Sequence, residues 1–147
     1  MLTFTSAEKE KILATNNNAK AANYTQKLYI SYMFRLYDDT KYYAEEFLAC
    51  VASSTWANLV FAHSFRAFYI GLTSYWVARN SGDAEKWYER GNESKLALRK
   101  WAETCQWTFE NKWYLLEAEE AFCNGNFDDA KDYYEKAVAS AKEHKVR

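Results

Sequence analysis

The chain has 147 residues, 49% of them hydrophobic and 27% charged, so it is long enough to bury roughly two-thirds of its unfolded surface and is globular rather than disordered. Its 19 basic and 20 acidic residues give a formal charge of −1, and no basic stripe interleaved with aromatics stands out, which argues against a nucleic acid partner. The absence of proline and the presence of only 4 glycines favour long helices and exclude a turn-rich sandwich or barrel.

Taken in order, Thr5 to Glu8 reads as a Thr-x-x-Glu capping box, so a first helix is expected from Ser6 to a break at Asn16-Asn17-Asn18. Leu28, Tyr29, Tyr32, Met33 and Leu36 then recur at helical spacing and are expected to stop at Asp38-Asp39-Thr40. Thr40 is the expected cap of the next helix, whose stripe is Tyr43, Ala44, Phe47, Leu48 and Val51 and whose end is at Ser53-Ser54. Thr55 is the following candidate cap. The helix after it carries Phe61, Phe65, Phe68, Tyr69, Leu72, Tyr75 and Trp76 as far as Asn80-Ser81-Gly82. This most apolar stretch, Ala57 to Ala78, would place Arg66 near mid-bilayer at a cost of about 2.5–3.5 kcal/mol, so a central buried helix is the better reading.

Asp83 is expected to cap a long helix bearing Trp87, Tyr88, Gly91, Leu98, Trp101 and Ala102, and the direction must change near Gln106 to Thr108. The clearest segment is Leu115 to Ala137. It reads as two amphipathic helices around a turn at Asn124-Gly125-Asn126, the second bearing Phe127, Ala130, Tyr134 and Ala137. Basic residues at the end, Lys142 to Arg147, suit a helix C-terminus.

The second helices can be laid on one another from Ala44 (AEEFLACV), Ala84 (AEKWYERG) and Ala130 (AKDYYEKA). Each opens on alanine, with bulky groups three and four residues later, at intervals of about 40 and 46 residues, the range of helical-hairpin repeats. The expected architecture is therefore all-α, a single domain over residues 1–147 made of three stacked antiparallel helical hairpins, roughly 21–54, 55–105 and 108–145.

Leu115 to Ala137 resembles a tetratricopeptide repeat, with Ala118 in the first helix, Gly125 at the turn, then Phe127, Ala130, Tyr134 and Ala137. It departs from that family in placing Glu117 where a Leu-like residue is preferred, in lacking a closing proline, and in exceeding the usual spacing of about 34 residues. A second resemblance runs from about Ala57 to the C-terminus. GLTSYWVAR, KWAETCQWTFENKWYLLEAEEAFCNG and YEKAVASAKEHK are similar to the tetratricopeptide-like region of very large signalling proteins abundant in diatoms. Those proteins join a kinase-like domain, a predicted ATPase and a histidine kinase or nucleotide cyclase module to this helical region. The resemblance implies an α-solenoid scaffold, either a fragment of a larger protein or a truncated product, with protein or peptide partners or neighbouring domains of the same polypeptide.

No motif points to catalysis. The two histidines, His63 and His144, are preceded at the third position by Val60 and Ala141, so the Glu-x-x-His pair of a di-iron bundle is absent. His63 reads as a core or groove residue and His144 as solvated at a helix end. Cys50, Cys105 and Cys123 are odd in number and form no CxxC pair, so they read as small apolar side chains in a reducing, cytoplasmic compartment. The glycines form no phosphate-cradling loop. Glu45-Glu46 and Glu119-Glu120 read as solvated helix surface.

No catalytic, cofactor or metal residues are therefore expected. In stacked hairpins the first helices line a concave face, which makes Gln26, Tyr29, Tyr69, Trp76, Arg79, Lys112 and Glu119 the candidate protein-binding residues. Tyr69 and Trp76 are equally read as core, and the aromatics as a whole fill gaps between helices or form a binding platform. Self-association through exposed terminal repeats is expected, with no nucleic acid or membrane partner. The alternative is a free-standing helical protein with an aromatic-lined pocket for a small apolar ligand.

Overall fold

In a computed structural model the described residues are 3–52 and 60–145, with side chains described over 3–52 and 64–145. All regular structure among them is α-helical: α1 (Ser6–Thr15), α2 (Asn17–Met33), α3 (Tyr37–Val51), α4 (Val60–Asn80), α5 (Ala84–Thr104), α6 (Gln106–Cys123) and α7 (Phe127–Glu143). Among the described residues no helix is long and apolar enough to cross a membrane. The candidate cap Thr55, the helix end at Ser53-Ser54 and the side chain of His63 lie outside the described residues. The chain divides into two compact units, Met1–His63 and Ser64–Arg147, each described by itself below.

In the first unit the capping box forms as expected. The Glu8 amide donates to Thr5 Oγ1 at 3.3 Å, and the Thr5 amide donates to Glu8 Oε2 at 2.8 Å. These bonds hold the Glu8 carboxyl below its usual pKa. α1 buries no residue, so its order rests on local bonds. Thr5→Ala should speed amide hydrogen exchange over the first turn of α1 by roughly fivefold and leave the global melting temperature unchanged. Asn16 ends α1 and caps α2, its side chain accepting from the amides of Asn18 and Ala19 at 3.0 and 3.1 Å.

α2 and α3 pack as a hairpin around Leu28, Tyr32, Thr40, Ala44, Phe47 and Val51. α2 stops at Met33, short of the aspartates. Arg35 takes the left-handed conformation (φ 58°), the Arg35 amide donates to Tyr32 O at 3.1 Å, and the Leu36 amide donates to Ser31 O at 2.9 Å. This is a Schellman closure built on arginine instead of glycine, with the guanidinium over the Tyr32 ring at 5.0 Å. Asp38 and Asp39 therefore fall in the first turn of α3, where the helix dipole favours them. Thr40, expected as a cap, is wholly buried inside α3 and donates its hydroxyl back to Leu36 O.

In the second unit the same closure recurs between α6 and α7. The Gly125 amide donates to Phe122 O at 3.1 Å and the Asn126 amide donates to Ala121 O at 2.9 Å, with Gly125 at φ 76°. The bonds from Thr40 to Leu36, Trp87 to Asp83 and Ala130 to Asn126 are equivalent first-turn bonds of α3, α5 and α7. Positions in the three helices can be counted from them. Thr40, Trp87 and Ala130 correspond, and Ala44, Gly91 and Tyr134 follow one turn later. Counted in this way, the three alanines matched from sequence stand at different depths: Ala84 opens α5, Ala130 lies one turn inside α7, and Ala44 lies two turns inside α3. Any amphipathic helix offers small-then-bulky matches a turn apart, and only the turn hydrogen bonds separate them.

α4 runs through the middle of this unit, with Ile70, Leu72, Thr73, Ser74, Tyr75, Val77 and Ala78 all buried. Two glycines allow its close approaches. A Cβ on Gly91 would stand 2.8 Å from the Tyr75 ring, and one on Gly71 would stand 2.7 Å from Leu116 Cδ1 and 2.9 Å from Ser94 Cβ. At these glycines α4 touches both α5 and α6, while α6 packs against both α5 and α7.

Candidate functional site

The densest chemistry lies along α6, where the second unit's helices meet. One face of α5 presents Tyr88, Asn92, Lys95 and Arg99 at successive turns, beside the apolar face of Trp87, Gly91, Ser94 and Leu98. Opposite it, α6 presents Trp113, Glu117, Glu120 and Asn124. Lys95 pairs with both Glu120 and Glu117, the second at 3.5 Å. Tyr88 donates to Glu120 Oε1 at 2.9 Å and accepts from Asn124 Nδ2 at 2.9 Å, while Trp113 Nε1 donates to Glu117 Oε1 at 2.9 Å. Tyr75 donates to Asn92 Oδ1 at 2.8 Å.

On its other side α6 offers Glu119, which accepts from Arg79 Nη1 of α4 at 2.7 Å and from the Tyr134 hydroxyl of α7. The Arg79 guanidinium also covers the Phe122 ring at 4.8 Å. Nearer its start, Glu110 accepts from Ser140 Oγ at 2.6 Å and Gln106 Nε2 at 2.7 Å, with His144 Nε2 3.8 Å away. Burial opposes the Glu110 charge, but these hydrogen bonds and His144 outweigh it and hold the carboxyl below its usual pKa.

Two expectations are corrected here. Glu119 and Glu120 are not solvated surface: their side chains keep only 12% and 21% exposure and each meets a cation. His144 is not solvated either, since it packs against Glu110 with 19% of its side chain exposed. The physical reason is common to both. Each lies where α6 packs against a neighbouring helix, and charged groups turned into such a seam are paired.

Of the candidate binding residues, Gln26 and Tyr29 are exposed on α2 in the first unit. The other five are half-buried in the second. Arg79 and Glu119 are brought together as an ion pair. Tyr69 packs against Phe65 and Phe68 at centroid distances of 4.5 and 5.0 Å. Lys112 donates to Thr108 O at 2.7 Å, and burial alone pushes its ammonium below the ordinary lysine pKa. Sequence reasoning misses Lys95, Tyr88, Glu117 and Glu120 as a polar cluster. The available signal is Glu117, a carboxylate where a packed apolar residue is expected.

Two open clefts adjoin the network. One, of about 490 Å³, is bordered by Arg79, Glu85, Tyr88, Cys123 and Asn124. The other, of about 330 Å³, is bordered by Arg99, Glu103, Gln106, Glu110 and Trp113. Burial pushes the Cys123 thiol up, away from nucleophilic character. Among the described residues no group of three or more His, Cys, Asp or Glu side chains is placed to hold a metal ion. The arrangement joins α4, α5, α6 and α7 through paired side chains. Comparisons with protein-family models, with curated proteins and with solved structures found no match for this chain.

Proposed function

We propose that this chain is a tetratricopeptide-like helical repeat serving as a non-catalytic scaffold for contacts between proteins, or between neighbouring domains of one signalling polypeptide. The observation that supports this reading is the common spacing of the helix pairs, which puts Leu28 and Ala44, Tyr75 and Gly91, and Ala118 and Tyr134 at equivalent positions along their helices. The placement of α6 against both helices of the preceding hairpin, α4 and α5, supports stacking of successive hairpins. The two clefts have charged walls and open mouths, so neither favours a small apolar ligand over a peptide.

The expected binding surface in the second unit is the exposed side of α4 and α6, with Tyr69, Trp76 and Lys112. A displayed library of random 12- to 15-residue peptides (roughly four helical turns) selected on the full chain should yield binders of 1:1 stoichiometry. Their affinity should fall about tenfold in Trp76→Ala and in Lys112→Ala, a loss of ~1.4 kcal/mol each. Substitution of Glu135, exposed on α7, should change nothing. Failure to select any binder, or binders indifferent to both α4 and α6 substitutions, would sink the reading.

A further inference from the structure

We infer that the second unit exchanges its α6/α7 hairpin between two copies of this chain, through opening of the one-residue connection at Cys105. α5 ends at Thr104 and α6 begins at Gln106, so a single residue reverses the chain. Cys105 stands at φ −138°, ψ 77°, its amide donating to Trp101 O at 2.8 Å and its thiol donating to Thr108 Oγ1 at 3.2 Å. No side chain caps the start of α6. The surrounding sequence, Trp101-Ala102-Glu103-Thr104-Cys105-Gln106-Trp107-Thr108, contains neither glycine nor proline. Nothing in it prevents Cys105 from turning helical and fusing α5 and α6 into one helix from Ala84 to Cys123.

Two other reversals differ in kind. The α6/α7 turn is locked by Gly125 in the left-handed region, and the α2/α3 turn by Arg35 with the same Schellman bonds. The α5/α6 connection has no such turn chemistry, and short hinges of that type favour exchange of an element.

What the departing hairpin leaves behind selects its replacement. α4 and α5 retain the Gly71 notch that receives Leu116, the Arg79 guanidinium that meets Glu119, and the Lys95 ammonium that meets Glu117 and Glu120. That combination of a shaped notch and two cations facing three carboxylates is matched by the same hairpin of a second copy. The exchange restores every contact in both protomers. It also adds an interface at the hinge, where Trp107, 66% exposed in the closed form, stands two residues from Cys105.

The test is refolding of the full chain from denaturant at low and high protein concentration, followed by light scattering on the separated species. The expected result is a dimer whose fraction grows with refolding concentration, rises several-fold in Cys105→Ala, and disappears in Gln106→Pro. Proline suits the first helical position and holds the preceding residue extended, so it preserves the closed chain while forbidding the fused helix. Arg79→Glu and Glu119→Arg chains, refolded together, should form a 1:1 heterodimer that neither forms alone. Within either variant the two positions carry like charges, and only exchange with the other variant sets opposite charges against each other at both contacts. A chain carrying both substitutions checks that the charges can be reversed within one protomer. Co-refolded variants that stay unassociated while that double variant folds would overturn the inference. So would a Gln106→Pro chain that dimerises as the wild type does, whatever becomes of the charge variants.

Discussion

Gly71→Ala should lower the melting temperature of the chain by about 5 °C, although alanine is the better helix former. In an exposed helix the exchange would contribute about 1 kcal/mol of stability. At Gly71 the new methyl would meet Leu116 at 2.7 and 3.0 Å and Ser94 Cβ at 2.9 Å, on two different helices. Leu116 can yield by changing rotamer, but Ser94 Cβ is fixed to the α5 backbone, so α4 and α5 must separate. Overpacking of this kind costs about 3 kcal/mol at its upper end, which leaves a net loss of about 2 kcal/mol. The measurement is a double-mutant cycle with Leu116→Ala, a substitution that alone costs about 2–5 kcal/mol through the cavity it leaves. Partial relief of the clash should give a coupling above about 1 kcal/mol. Additive effects would mean that α4 and α6 do not meet at this point.

The legible part of this fold is its punctuation. Thr5 and Glu8, the Asn16 break and the Asn124–Asn126 turn each carry a local mechanism that operates without tertiary partners, and each stands where the sequence places it, whereas Asp83, the expected cap, precedes α5 without a side-chain bond to its first turn. The α2/α3 boundary is misread from sequence because the left-handed residue is Arg35, which offers no turn signal, while Asp38-Asp39-Thr40 offers a false one. The alanines matched among the second helices stand at different depths from the helix starts, since helix periodicity repeats every turn and offers similar matches a turn apart. The network is hidden for another reason. Glu119-Glu120 is an acidic pair that in isolation belongs to solvent, and its burial depends on Arg79 and Lys95, 40 and 25 residues upstream in sequence. Arg79 and Glu119 both stand out in the sequence as candidates for a partner, and each meets the other.

Lys95→Met should cost about 2–3 kcal/mol at neutral pH, with a pH signature that distinguishes it from a packing defect. The side chains of Lys95, Glu117 and Glu120 keep 14%, 17% and 21% exposure, so the loss falls somewhat below the ~3–5 kcal/mol of a fully buried broken pair. Burial by itself pulls the Lys95 ammonium down. The hydrogen bond to Glu120 and the charges of Glu117 and Glu120 outweigh it and hold the pKa above the ordinary lysine value. A cation whose folded pKa is raised contributes stability that is complete below its unfolded pKa of about 10.4 and is lost as pH rises through the folded one. In the variant the two carboxylates face each other without the cation that stands between them in the wild type. The stability difference between wild type and variant should therefore be fully present below about pH 10 and shrink above it, as Lys95 gives up its proton. Both proteins should also lose stability steeply above about pH 10, because burial raises the Tyr75 and Tyr88 phenols and the unfolded chain releases those protons first. Denaturant midpoints measured across that range decide the matter: a pH-independent difference would reduce Lys95 to a packed hydrocarbon stem. Replacing the triad together, as Lys95→Met, Glu117→Leu and Glu120→Met, should restore stability to about the wild-type level. It would also remove the Lys95 half of the charge pattern that selects the α6/α7 hairpin while leaving the Arg79–Glu119 pair in place, and the triple variant should consequently exchange hairpins less selectively than the wild type.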